Sequence, residues 1–308
     1  MFITRIVLAL RNFRQWLIAQ FAFACLNILK IMPADTAINF ADGLVRRVGP
    51  HLGRHKLMLH NLRNAFPEKS EAEIERIAVA SWGHMGRLVA EYVFLDRLFD
   101  FDPESGKVGR VEVSGIPIFM RLRENKKPFI VFTAHTGNFE LLPVAGAAFG
   151  VSVTVLFRPP NNPYIADKVF QFRSARMGHL VPSHAGSSFA LARTLEDGGS
   201  VGVLVDQKFR RGVFTQFFGQ PVQTNPLLAK LARQFNCEVY PARCIRLPDN
   251  RYRLEIGEAL ELPRDEKGRL DVTATAQLLN DQVEAWVREY PEQWLWYHDR
   301  WNNKRTLD

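Results

Sequence analysis

The sequence predicts an α/β fold with a mostly parallel central sheet flanked by helices, and three observations support this prediction. Short, apolar, β-branched runs of strand length recur along the second half of the chain. Amphipathic stretches of helical length separate them. Polar side chains directly follow three of these runs, as happens where the strands of an open α/β sheet end at a ligand site.

The elements of the chain follow from hydrophobic periodicity and turn signals. Residues 61–98 have a helical pattern, in which Ser70 and Glu73 stand at the positions of a capping box. From residue 129 onward, strands and helices alternate, with a long loop after residue 205. The predicted strands cover residues 129–134, 151–157, 201–205, 238–246 and 251–256, and the predicted helices cover residues 139–149, 164–177, 187–195, 226–235 and 272–290.

Composition limits the classes of protein to which the chain can belong. Its 308 residues allow one large domain or two. Its net charge of +8 favours an anionic partner, although a basic soluble protein without one is equally compatible. Three cysteines without CxxC spacing argue against a disulfide framework, and no cluster of His, Cys and Asp suggests a metal site. No phosphate-binding Gly-Lys-Ser/Thr loop and no Gly-x-Gly-x-x-Gly fingerprint is present. We therefore expect no metal and no cofactor.

The N-terminus contains an apolar segment next to positive charge. Residues 15–29 carry no charge, and two arginines precede them. As a helix they span roughly 22 Å, which is shorter than the roughly 30 Å hydrocarbon core of a bilayer. We interpret residues 1–32 as an uncleaved membrane anchor, either a short span or an interfacial helix, and residues 33–308 as the catalytic domain. A buried core helix is the alternative.

A basic stretch beside this segment favours a membrane surface over nucleic acid. Positive charge next to a membrane segment is typical of the cytoplasmic side and attracts anionic lipid. Nucleic-acid-binding proteins usually interleave basic and stacking aromatic residues or carry a known module, and neither is evident. We expect an anionic membrane surface as partner and no nucleic acid. The stretch consists of Arg46, Arg47, Arg54, His55, Lys56 and Arg63.

A histidine and a carboxylate follow the first predicted strand. Histidine has an ordinary pKa near neutrality, which suits a general base. Residues five apart on one helix point roughly 140° from each other, so His135 must lie in the turn before the helix and Glu140 must reach back. Glu140 then holds the Nδ1–H of His135, and Nε2 takes a proton from a hydroxyl. The alternative is a structural histidine at a strand end.

Two further predicted strands end in polar groups. Arg158, stiffened by the prolines after it, offers donors to a phosphate or a developing oxyanion, although a surface arginine in a turn is equally compatible. Asp206 and Gln207 follow the third strand and are candidate substrate contacts. The phenylalanines of the next loop could line a slot for an apolar chain, contact lipid or pack on their own core; they are Phe214, Phe217 and Phe218.

The C-terminal region concentrates three tryptophans within residues 290–301. Amphipathic aromatic residues suit a membrane interface. They suit a lid that closes the core equally well, with Asp299 and Arg300 at its rim.

Taken in this order, the motifs closely resemble the late acyltransferases of lipid A biosynthesis. This lauroyl/myristoyl transferase family belongs to the larger lysophospholipid and glycerol-phosphate acyltransferase superfamily. The resemblance covers roughly residues 61–301, with an N-terminal anchor before them. A His-x4-acid motif alone is weak, but five ordered blocks are specific. They are Asn61-Leu62-x-x-Ala65-Phe66-Pro67, His135-Thr-Gly-Asn-Phe-Glu140, Phe157-Arg158-Pro159 through Pro163, Val203 to Gln207 with Phe217 to Pro221, and Tyr290 to Trp296.

The resemblance implies transfer of a fatty acyl group from a thioester, usually on acyl carrier protein, to a hydroxyl of a phosphorylated glycolipid, the lipid A precursor. No metal and no acyl-enzyme intermediate is implied, and the location is the cytoplasmic face of the cell inner membrane. The alternatives are another polar lipid acceptor (a lysophospholipid, an aminolipid or a glycolipid) or a non-catalytic lipid-binding protein. The implied catalytic residues are His135 and Glu140, and the implied substrate-binding residues are Arg158, Asn138, Asp206 and Gln207.

Overall fold

The structure is a computed structural model that describes residues 2–106, 108–125, 127–157, 159–174, 179–182 and 186–301. Its helices are α1 (Phe2–Ile31), α2 (Ala34–Val48), α3 (Arg54–Ala65), α4 (Glu71–Val93), α5 (Leu95–Leu98), α6 (Ile116–Glu124), α7 (Leu141–Ala148), α8 (Pro163–Ser174), α9 (Ser187–Glu196), α10 (Leu227–Phe235) and α11 (Val272–Glu289). Its strands are β1 (Val111–Ser114), β2 (Phe129–Thr133), β3 (Val153–Phe157), β4 (His179–Pro182), β5 (Ser200–Leu204), β6 (Val213–Phe217), β7 (Gln220–Thr224), β8 (Glu238–Leu247) and β9 (Arg251–Ile256).

Seven strands form the central sheet in the order β1-β9-β8-β2-β5-β3-β4. The β8–β9 pair is antiparallel, and the other pairs of neighbours are parallel. The predicted mostly parallel sheet flanked by helices is therefore confirmed. Because β2 lies between β8 and β5, its carboxyl end meets theirs at one edge, where open α/β sheets bind ligands.

Apolar side chains on the two faces of the sheet belong to two separate cores. One core joins β2 and β5 to α3, α4, α10, α11 and the C-terminal tryptophans. The other joins β8 and β9 to α2, α6 and α7. Successive residues of a strand point to opposite faces, which is why Phe132 belongs to the first core and Phe129 to the second. Burial on both faces explains the continuous apolar runs of these strands.

Local signals located most elements, but three regions differ from the prediction, the first being residues 111–124, where β1 and α6 were not predicted. The capping box at the start of α4 is confirmed, since the Ser70 backbone N–H donates to Glu73 at 2.9 Å and the Ser70 hydroxyl accepts from the Glu73 backbone. The loop predicted after residue 205 contains the hairpin β6–β7. The edge strand β4 follows α8 and was not predicted.

The N-terminal helix α1 is 30 residues long and packs against α2, α4 and α8. Among the described residues, no helix combines the length and the apolarity that crossing a bilayer requires. Much of the apolar surface of α1 is exposed, from Val7 at 58% to Phe21 at 74% and Ile31 at 86%, although Ala19 is buried.

Candidate active site

His135 and Asp206 meet at the carboxyl edge of the sheet. Thr133 of β2 is in register with Leu204 of β5, so the residues two positions further along each strand emerge side by side. The Nδ1 atom of His135 lies 2.7 Å from Oδ1 of Asp206, and the His135 backbone N–H donates to Oδ2 at 2.9 Å. Parallel pairing of two strands thus assembles an imidazole–carboxylate pair from residues 71 positions apart.

Three donors hold the Asp206 carboxylate. Besides the two from His135, the indole N–H of Trp294 donates to Oδ2 at 2.8 Å. Burial alone would raise the pKa of Asp206, but the charge and hydrogen bonds of His135, together with Trp294, outweigh it and hold the pKa well below the ordinary value. Asp206 is therefore ionised at neutral pH, and His135 donates its Nδ1–H to it.

The second ring nitrogen of His135, Nε2, contacts Gln207. With the proton on Nδ1, Nε2 is an acceptor, and the Gln207 amide donates to it across 3.1 Å. The Phe139 ring packs edge-on against the imidazole at 4.9 Å, and the His298 ring lies 5.8 Å away. An imidazole with its Nδ1–H fixed by a carboxylate and its Nε2 available to a polar group can accept a proton from a hydroxyl.

Glu140 is not the partner of His135, which corrects the predicted pairing. Its buried carboxylate forms an ion pair with Arg173 of α8. Glu140 occupies the first position before α7, and the chain between residues 135 and 140 turns so that Asp206 reaches the imidazole instead. The Arg173 guanidinium also stacks over the rings of Phe157 at 4.7 Å and Tyr92 at 5.8 Å.

The other residues predicted to contact substrate do not all lie at the His135 site. The Asn138 side chain is fully buried, and within the described part of the chain neither of its amide atoms has a hydrogen-bond partner, so it presents no surface to a substrate here. Gln207 contacts Nε2 of His135, whereas Asp206 contacts the other ring nitrogen, Nδ1. Arg158 lies outside the described residues. Of the three loop phenylalanines, Phe214 is 73% exposed, and Phe217 and Phe218 pack in the core against the C-terminal tryptophans.

A strap at residues 290–298 fixes the turn that carries His135. Gly137 has a φ of +54°, and a Cβ there would lie 1.9 Å from the Cys244 carbonyl oxygen, so the turn requires glycine. Its backbone N–H donates to the Gln293 carbonyl at 3.0 Å, and Thr136 forms a bridge with Trp294. The Asn61 amide donates to the carbonyls of Trp296 and His298, both at 2.9 Å. Residues from three of the five sequence blocks, the first, the second and the last, therefore meet at this turn.

An apolar cavity adjoins the His135 turn between the sheet and α7. Val131, Gly202 and Val155 stand in one row across β2, β5 and β3, and the glycine leaves a groove between the two valines. Phe139, which touches the imidazole, also lines the cavity, and so does Glu140. Among the described residues, no three His, Cys, Asp or Glu side chains are grouped so that they could hold a metal ion.

Comparison with known proteins shows the family. The model of the bacterial lipid A biosynthesis acyltransferases matches residues 5–303. The chain belongs to this family. It is 26% identical over 270 residues to the lipid A biosynthesis myristoyltransferase of Escherichia coli K12, covering 85% of this chain and 81% of the relative. The lipid A biosynthesis lauroyltransferase of the same organism is 25% identical over 258 residues, covering 82% and 80%. A lipid A biosynthesis acyltransferase of Haemophilus influenzae is 23% identical over 239 residues, covering 77% and 72%.

Membership of the lipid A acyltransferase family makes the chain an acyltransferase, as predicted. Two members of its site were missed from the sequence. Trp294 was interpreted only as an interfacial or lid residue, although its indole holds Asp206. Arg173 lies within a predicted helix and gave no local signal for its ion pair with Glu140. Only the order of the strands and the path of the strap reveal these contacts.

Proposed function

We propose that this acyltransferase moves a fatty acyl chain from a thioester on acyl carrier protein to a hydroxyl of a lipid A precursor. The observation that supports this most is the His135–Asp206 pair beside an apolar cavity. Relatives named for myristoyl, lauroyl and palmitoleoyl transfer in lipid A biosynthesis support the acceptor and the apolar donor. The role predicted for Glu140 as the orienting carboxylate passes in this proposal to Asp206.

The proposed reaction is direct transfer from donor to acceptor. Nε2 of His135 accepts the proton of the acceptor hydroxyl while the hydroxyl oxygen forms a bond to the thioester carbonyl carbon. Asp206 stabilises the resulting imidazolium through Nδ1–H. When the C–S bond breaks, the thiolate leaves and takes the proton back from His135, so the products are an ester and a free thiol. The Gln207 amide must first release Nε2, and it is then placed to donate to the developing oxyanion.

The acyl chain is proposed to enter the cavity between the sheet and α7. The cavity encloses about 100 Å³, which is less than the roughly 150 Å³ cavity that holds one benzene molecule. A fatty acyl chain therefore fits only when the lining side chains move apart. The Arg173–Glu140 pair lines this cavity and is the polar contact that such an opening would disturb. Because Gly202 forms part of the floor, its missing side chain sets the width of the path.

Membrane association is proposed to use an interfacial surface of α1 and α2. On α2, Phe40, Leu44 and Val48 recur every fourth residue and are 47–55% exposed, so they form one apolar stripe. The predicted basic stretch is only partly available to lipid, because His55 is buried and Arg46 and Arg63 form ion pairs with carboxylates. Arg47, Arg54 and Lys56 are exposed. This surface fits binding to the cytoplasmic face of an anionic inner membrane.

Purified full-length protein, acyl carrier protein loaded with one fatty acid and a lipid A precursor provide the test. Mass spectrometry is expected to show the acceptor heavier by one acyl group, and His135→Ala is expected to lower the rate about 10²–10⁴-fold. Parallel reactions contain coenzyme A thioester as donor or a lysophospholipid as acceptor. Absence of transfer to the precursor, preference for the lysophospholipid, or near-normal rates in His135→Ala would contradict the proposal.

A further inference from the structure

Arg300 is a buried cation without an acidic partner among the described residues. Its side chain is almost fully enclosed, with 2% exposure. Its guanidinium donates to the Gln223 carbonyl at 3.0 Å, the Thr224 hydroxyl at 2.8 Å and the Asn280 amide oxygen at 3.1 Å, and all three acceptors are neutral. Its buried Nε–H has no partner in the described chain. Proteins normally pair a buried charge, so this arrangement requires an explanation.

The charge of Arg300 is maintained at neutral pH. Burial lowers its pKa to about 10, and the negative charge of Asp206 acts in the opposite direction. The guanidinium therefore stays protonated under physiological conditions. It contributes positive potential to its surroundings, and the low dielectric of a buried site strengthens that potential.

Arg300 lies at the base of an open cleft of about 560 Å³. Lys208 and Arg210 line the same cleft, and Asp299 contacts Lys208 at 2.9 Å. These lining residues supply three cations against one carboxylate. Phe214 and Trp301 form apolar walls. A cleft with excess positive charge and aromatic walls is suited to an anionic group attached to a less polar body.

The residues that line the cleft directly follow two residues that lie next to His135. Lys208 directly follows Gln207, whose amide contacts Nε2. Asp299 and Arg300 directly follow His298, whose ring lies 5.8 Å from the imidazole. The cleft therefore lies near the His135 imidazole in the fold.

We propose that this cleft binds the phosphate group of a substrate. Lys208 and Arg210 contact the phosphate directly. The buried charge of Arg300 attracts the phosphate electrostatically, and its hydrogen bonds anchor residues 298–301 to β7 and α11. The proposal rests on the proposed function and extends it. Two phosphates have this chemistry: the phosphate on the sugar of the acceptor and the phosphodiester of the carrier arm of the donor.

The first experiment measures anion binding without turnover. The melting temperature of the full-length protein is recorded in inorganic phosphate and in chloride at equal ionic strength. Bound phosphate stabilises the folded state, so the wild type should melt higher in phosphate. Arg210→Gln should lose at least half of this increase, and because Arg210 is exposed we expect the variant to fold. The matched control is Arg211→Gln, an exposed neighbour outside the cleft lining, which should keep the full increase. Equal increases in all three proteins would overturn the site.

The second experiment identifies which substrate supplies the phosphate. Acceptor and donor are varied separately in the transfer assay with Arg210→Gln and Arg211→Gln. A KM raised at least fivefold for the acceptor alone assigns the cleft to the sugar phosphate, and the same change for the donor alone assigns it to the carrier arm. Unchanged KM values for both would overturn the proposal. If the wild type transfers no acyl group, the proposed function fails, while the melting experiment still decides whether the cleft binds phosphate.

Discussion

The two sides of the turn after β2 differ in how they hold a carboxylate. On one side, Asp206 receives three hydrogen bonds from His135 and Trp294, and the imidazole keeps one nitrogen directed at a polar group. On the other side, Glu140 is paired with Arg173 at the wall of an apolar cavity. Both carboxylates are buried, but only Asp206 is bonded to a group that can take up a proton. Position in a motif therefore does not by itself identify the carboxylate that supports the base.

The largest effect is expected from Asp206→Asn. The amide retains the shape of the side chain but favours the wrong tautomer of His135, and the analogous change in a serine protease triad lowers kcat by about 10⁴-fold. We expect transfer to fall about 10³–10⁴-fold with little change in fold. Steady-state rates check this, with Asp197→Asn as control because Asp197 is exposed and distant in the fold. A loss below tenfold would place the base elsewhere.

Arg173→Met tests the other side of the turn. It leaves Glu140 buried without its cation, and breaking a buried pair in this way costs roughly 3–5 kcal/mol. Since Arg173 is partly exposed, we expect the smaller loss of about 2–3 kcal/mol in the free energy of unfolding, measured by urea denaturation. The double variant with Glu140→Gln should recover part of this loss. If stability were unchanged while transfer fell as far as in Asp206→Asn, Arg173 and Glu140 would belong to the chemistry.

Five of the seven strands of the sheet were predictable from the sequence because their signals are local, whereas the edge strands β1 and β4 were missed. Apolar runs bounded by turns locate β2, β3, β5, β8 and β9 to within about two residues. The hairpin β6–β7 was missed because its strands are short and rich in Gln and Thr, and β7 contains a proline. The partner of His135 was also missed, since the contact spans 71 residues and depends on β5 lying next to β2. Trp294 reaches Asp206 across 88 residues, and no periodicity encodes that contact.

Trp294→Phe should have an intermediate effect on the Asp206 side. The change removes one hydrogen bond to a charged group, which is worth about 1.5–3 kcal/mol, and leaves Asp206 held by His135 alone. We expect about a tenfold lower transfer rate. The matched control is Trp296→Phe, whose indole donates to the Pro291 carbonyl and not to the carboxylate. Equal losses in both variants would indicate a packing effect instead of support for Asp206.

On the cavity side of the turn, Gly202→Ala should change the preferred length of the acyl chain that is transferred. An added Cβ would lie 3.3 Å from the Cγ2 of Val155, so the groove narrows with only slight strain. We expect the preference for long over short acyl donors to fall a few-fold, measured as the ratio of kcat/KM values. Gly43→Ala, where an added Cβ meets nothing within 4 Å, serves as control. An unchanged ratio would remove this cavity from the path of the chain.

Acid should reduce the stabilising contribution of Asp206. The folded-state pKa of this carboxyl lies well below its unfolded value of about 3.9, so its contribution is complete above that value and is lost as pH falls toward the folded value. The difference in unfolding free energy between wild type and Asp206→Asn should therefore stay level from pH 7 to about pH 5 and shrink as the pH is lowered further, toward about pH 2. Guanidinium unfolding at several pH values measures it, and a constant difference would mean that Asp206 is not charged in the fold.

The central claim is that Asp206, and not Glu140, fixes the proton of His135 on Nδ1. Nitrogen NMR of protein labelled at histidine observes this directly, with the His135 signals assigned by their absence in His135→Ala. At pH 8 the wild type should show a protonated Nδ1 and an unprotonated Nε2. Asp206→Asn should change these signals, and Glu140→Gln should leave them as they are. Signals that respond to Glu140→Gln but not to Asp206→Asn would contradict the account.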